Sequence, residues 1–85
     1  VEKMNFHDLV YRVRREGLEA HEAPRSTTWA AELCDVSKSY FYCLYNGERI
    51  ATKHMVARIA LGLGLLPYVV QRALDRSWEE AEVTT

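Results

Sequence analysis

The chain has 85 residues, a net charge of −1 and two cysteines. That length supports one modest core and no second domain, and charged residues interrupt every apolar run before membrane-spanning length. No basic start, apolar run and small-residue cleavage site marks a secretory leader, and Cys34 and Cys43, without a His or Cys cluster around them, fit neither a disulfide framework nor a zinc site, so both read as reduced thiols of a cytoplasmic protein.

Apolar periodicity predicts helices nearly throughout. Residues 1–4 read as a disordered start or an expression remnant. Phe6, Leu9, Val10 and Val13 share one helical face, with Asn5 as N-cap and Gly17 as the stop. Leu18 to Arg25 is an acidic connector carrying Pro24. A short helix from about Thr27 to Cys34 has Ser26 as its cap, and Asp35 follows as a residue that tolerates the left-handed backbone of a tight turn. Ser37 caps a third helix, about Lys38 to Tyr45, which buries Phe41 and Leu44 and ends at the breaker pair Asn46-Gly47. Thr52 caps a fourth helix carrying Val56, Ile59, Ala60 and Leu63, stopped by Gly64. Pro67 opens a fifth bearing Val70, Ala73 and Leu74. The folded domain is read as 5–76, and 77–85 as an acidic tail. No stretch alternates as a strand would, and there is no internal repeat.

The net charge conceals a segregation. Residues 37–60 carry Lys38, Arg49, Lys53 and Arg58 against Glu48 alone, whereas 16–35 carry Glu16, Glu19, Glu22, Glu32 and Asp35 against Arg25 alone. One basic and one acidic face are expected, and a polyanion senses the local field rather than the net charge. An enzyme is not expected: His7, His21 and His54 are scattered, no nucleophile–base or paired-carboxylate arrangement occurs, and Gly62 and Gly64 are helix-end glycines, not a phosphate loop. Neither a metal nor another cofactor is implied.

Helix, tight turn and helix over 27–45, followed by a polar loop and another amphipathic helix, is the layout of a helix-turn-helix. The stretch AAELCDVSKSYFYCLYNGERIATKHMVARIALGLG, Ala30 to Gly64, resembles the Cro/cI-type (XRE-like) helix-turn-helix family without a gap. Ala31 falls at the small residue of the first motif helix, Val36-Ser37 at the turn, Phe41 and Leu44 on the buried face, and Asn46-Gly47 at the exit. Ile59-Ala60 and Leu63-Gly64 match the close of the next helix. There are departures. Asp35 stands where the family usually has Gly, Thr27 where many members have Gln, and Leu33 at a usually polar site. Tyr45 replaces a Glu that many members pair with an Arg on helix 1, so that ion pair cannot form. The connector 18–25 is longer than usual, and its acidic character points it away from DNA.

The resemblance implies an all-α, compact five-helix bundle of the lambda-repressor-like kind, with the motif at about 27–45. It further implies a sequence-specific DNA-binding regulator, a bacterial or phage repressor acting in the cytoplasm on the nucleoid. By the family's pattern Lys38, Ser39, Tyr42 and Cys43 read base edges in the major groove, and Cys34 is buried. Asn46 matches a phosphate-binding Asn at the helix exit. Thr27 and Thr28, at a helix N-terminus, join Tyr40, Arg49 and Lys53 as phosphate contacts. The double-stranded DNA partner is expected to be a palindromic operator bound by a homodimer, formed in solution or only on DNA. Its candidate interface is Leu66, Tyr68, Val69 and Trp78, because the apolar set opening helix 5 spans too much of its circumference to pack inward. Trp78 folded back over helix 1 is the other reading of that residue. The alternative function is a protein-interaction module of the same fold, such as an antitoxin or regulatory subunit, gripping its partner through the acidic face.

Overall fold

The computed structural model describes residues 4–84, so the reading of 1–3 as an extraneous start lies outside the described residues. The described chain is all-α: α1 (Phe6–Arg15), α2 (Thr27–Leu33), α3 (Lys38–Tyr45), α4 (Lys53–Leu63) and α5 (Pro67–Thr84), with no strand. Four of the starts are fixed by side chains that take an amide proton the helix cannot satisfy itself. Asn5 Oδ1 accepts from the Asp8 amide at 2.8 Å, Ser26 Oγ from Trp29 at 3.0 Å, and Ser37 Oγ from Tyr40 and Thr52 Oγ1 from Met55 at 3.2 Å each. Each such cap is worth about 0.5–2 kcal/mol over alanine. Gly64 ends α4 at φ +71°, where only glycine is free of strain.

Phe6, Val10, Phe41, Leu44, Ile59 and Val70 are fully buried and form the centre of one core, with the Phe6 and Phe41 rings 5.5 Å apart. α5 packs along α4, α1 and α3, while α2 is wedged between α1, α3 and α4. No single helix among the described residues is long and apolar enough to cross a membrane.

α5 runs further than the periodicity suggests. The expected acidic tail continues the helix, and Trp78, expected beyond its end, lies within it. The buried hydroxyl of Ser77 accepts the Phe6 amide proton at 2.7 Å, and Asn5 Nδ2 donates to Glu80 Oε1 at 2.6 Å. Gly47, at φ +72°, lies so close to this segment that a Cβ there would collide with the Ser77 carbonyl and come 2.9 Å from the Ala81 Cβ. The last turns of α5 thus fasten the start of α1 to the exit of α3.

Candidate functional site

The turn between α2 and α3 is built as its sequence demands. Asp35 takes φ +56°, the positive value that Asp tolerates, and the Val36 amide donates back to the Ala31 carbonyl at 3.2 Å. From α4, Arg58 Nη1 donates to the Asp35 carbonyl at 3.2 Å and pairs with its carboxylate at 3.6 Å. Gly62 lets α4 approach the end of α2. A Cβ there would sit 2.6 Å from the Cys34 Cα, so this glycine serves packing rather than a helix end. Cys34 is 1% exposed, and burial pushes its thiol up to about 11.

This turn and these contacts decide which side of α3 meets solvent. Phe41, Leu44 and Tyr45 are buried, and residues advance by about 100° each around a helix, so Ser39, Cys43 and Asn46 lie on the opposite side. Ser39, Tyr42 and Asn46 are exposed and Cys43 is half-buried, which brings three of the expected base-reading residues onto one outward surface, with exposed Lys38 at its flank in the first turn, about 60° round the helix from Phe41. Tyr40 is half-buried at one edge of that surface with the Arg49 guanidinium 5.4 Å from its ring centre. Lys53 and His54 are exposed in the first turn of α4, and Thr27 and Thr28 are half-buried in the first turn of α2.

No protein-family model, characterised protein or solved structure matches this chain. The site's chemistry therefore rests on its own geometry. Among the described residues no group of three or more His, Cys, Asp or Glu side chains is placed to hold a metal.

The four residues assigned to a dimer interface do not share one surface. Leu66 and Tyr68 are 69% and 65% exposed, and Val69 lines a groove of about 840 Å³ shared with Leu9, Tyr11, Arg12, Val13 and Leu65. Trp78 is about 15 Å further along α5 at 1.5 Å per residue. It lines a separate cleft with Gly47, Glu48, Ala81 and Glu82, because the α3 exit offers it a flat glycine surface. It therefore lies apart from the Leu66–Tyr68 surface.

Two parts of the site escaped the sequence reading. Tyr45 is not on the outward side with Tyr42. It is 9% exposed, with its ring 4.3 Å from His7 and edge-on to Tyr42 at 6.3 Å. Its hydroxyl accepts from Arg14 Nη1 at 3.3 Å, a bond to a neutral acceptor in the place of the ion pair that many members of the resembled family make. The acidic connector, in turn, is an ordered loop held by arginines. Arg15 donates to the carbonyls of Glu19, Ala20 and Glu22, Arg25 to that of Glu16, and Arg14 Nε to that of Arg25. The signal was present as the arginines at both ends of the acidic stretch, but a carboxylate-rich segment suggests ion pairs, not bonds to its backbone.

Proposed function

We propose that this chain is a sequence-specific DNA-binding regulator in which α2 and α3 form a helix-turn-helix and α3 enters the major groove. The observation carrying this reading is the outward surface of α3: Ser39, Tyr42 and Cys43 lie on it, turned away from Phe41 and Leu44, and exposed Lys38 flanks it at the first turn. A helix presented in this way can set donors against base edges. Lys38 donates to guanine O6 and N7, Ser39 serves either base type, and Tyr42 offers a hydroxyl or a ring for a thymine methyl. Asn46, Arg49 and Lys53, at the exit and in the following loop, bind phosphates, with Thr27, Thr28 and Tyr40 as lesser contacts. Such a protein works in the cytoplasm on the nucleoid. It binds as a homodimer on a palindromic operator, with Leu66, Tyr68 and Val69 as the contact surface, since one recognition helix reads too few base pairs alone.

The competing reading is a protein-interaction module such as an antitoxin or regulatory subunit. It draws on the ordered loop 16–25, which presents Glu16, Glu19 and Glu22 to solvent. Selection of bound sequences from random DNA, followed by titration, separates the two. Lys38→Ala should cost about 1–3 kcal/mol on the selected site and far less on random DNA. Arg49→Ala should weaken all sequences equally and lower the salt dependence. Absence of any selected sequence, with a protein partner co-purifying, supports the competing reading.

A further inference from the structure

Beside α3 stands a half-buried cation without an ion pair, Arg14. The ion pairs among the described residues are His7–Asp8, Arg58–Asp35 and Arg76–Glu80, and Arg14 takes part in none of them. Its half-buried guanidinium is held by neutral groups alone: the Arg25 carbonyl, the Tyr45 hydroxyl and the Tyr11 ring, whose centre lies 5.5 Å away. No buried side-chain nitrogen lacks a hydrogen-bond partner among the described residues, so Nη2, which makes none, is open to solvent. A cation partly stripped of water and offered only neutral acceptors keeps its full charge, and an anion is the partner that offsets its desolvation.

The position of Arg14 identifies the anion. Tyr40 and Tyr42 are about 160° apart around α3 and mark its two edges. Arg49 lies over Tyr40 at one edge. At the other, Tyr42 meets Tyr45 edge-on, and Tyr45 holds Arg14. A helix seated in the major groove has a phosphate backbone on each side, so an arginine at each edge faces a strand. We infer that Arg14 binds a DNA phosphate opposite the strand met by Arg49, and that Tyr45 is the positioning residue that holds its guanidinium without neutralising it. The inference rests on the DNA-binding reading and adds to it a residue of α1, outside the helix-turn-helix.

The test is the slope of log K against log salt concentration for the full chain on its selected site and on random DNA. Tyr45→Glu gives Arg14 a carboxylate partner and should lower the slope by about 0.9, the loss of one phosphate contact, on both DNAs alike. Arg14→Gln should do the same, whereas Arg14→Lys should retain the wild-type slope, and none of the three should change the preferred sequence. A purely structural Arg14 predicts otherwise: Tyr45→Glu, folded by circular dichroism, would keep the wild-type slope, and that result overturns the inference while leaving DNA binding intact. If Tyr45→Glu does not fold, equal slopes for Arg14→Gln and Arg14→Lys overturn it instead. Wild-type protein that shows no salt-dependent DNA binding overturns the underlying reading, and the inference with it.

Discussion

The two ends of α5 reverse what their compositions suggest. Its apolar opening leaves Tyr68 in solvent and Val69 half-covered, with Leu66 exposed just before it, while its acidic end buries Ser77 and tucks Trp78 against the turn after α3. The cause is what stands opposite each end. Facing Ser77 and Ala81 is a glycine with no side chain to hold them off, and facing Ser77 and Glu80 are the first amide and the cap of α1. Tyr68, 65% exposed, is met by Arg72 of its own helix, which donates to its hydroxyl at 2.9 Å. Hydropathy sets how much a segment gains from burial, but a complementary surface decides whether it is buried at all.

The contrast can be broken most severely at Gly47. Gly47→Val combines a left-handed backbone with a collision against α5, and we expect a loss of about 3–5 kcal/mol in urea denaturation, from strain and overpacking together. Gly64→Ala is the calibrating variant. It meets the same sign of φ in open space and should lose only about 1–2 kcal/mol. Next comes Ser77→Ala, which leaves the buried Phe6 amide without an acceptor and should cost about 1–3 kcal/mol, measured in the same way. At the other end of α5, Tyr68→Glu should change monomer stability by less than about 0.5 kcal/mol while lowering dimer content in sedimentation at high concentration. Stability loss of several kcal/mol there would mean that the exposed end is not exposed in solution.

The smallest effect is on thiol reactivity. Cys34 lies in the core with its thiol raised to about 11, so near pH 8 it should stay protonated and unlabelled while half-buried Cys43 reacts. Ser77→Ala should speed Cys34 labelling if opening of the α5 end exposes the core as a whole. Equal labelling of both thiols in the wild type would contradict the orientation of α2 and α3.

What the sequence made legible were features settled within a few residues. The caps Asn5, Ser26, Ser37 and Thr52 lie three residues before the amides they accept from, and Asp35 carries its own tolerance of positive φ. The outward side of α3 follows from Phe41 and Leu44 by helical period alone. Illegible were features settled across the chain. Glu79, Glu80 and Glu82 suit a helix as well as a tail, and the contacts of this segment with Asn5, Phe6 and Gly47 are made across the chain. Tyr45 has the composition of the aromatic run around it, and its burial depends on Arg14 and His7 of another helix. Gly62 gives no local sign that the backbone of Cys34 will press against it.

The Ser77 and Glu80 contacts also bear on how the protein is made. Phe6 and Asn5 meet their partners across 71 and 75 residues of chain, so the first turn of α1 is completed only by residues made long after it. During translation the α1–α4 segment can form local helices, but its leading amide stays unpaired and its core open until Ser77 clears the ribosome. Final closure is therefore governed by long-range contacts in an otherwise locally wired helical protein. A nascent chain stalled before residue 77 should be caught by proteases and chaperones that ignore the finished molecule.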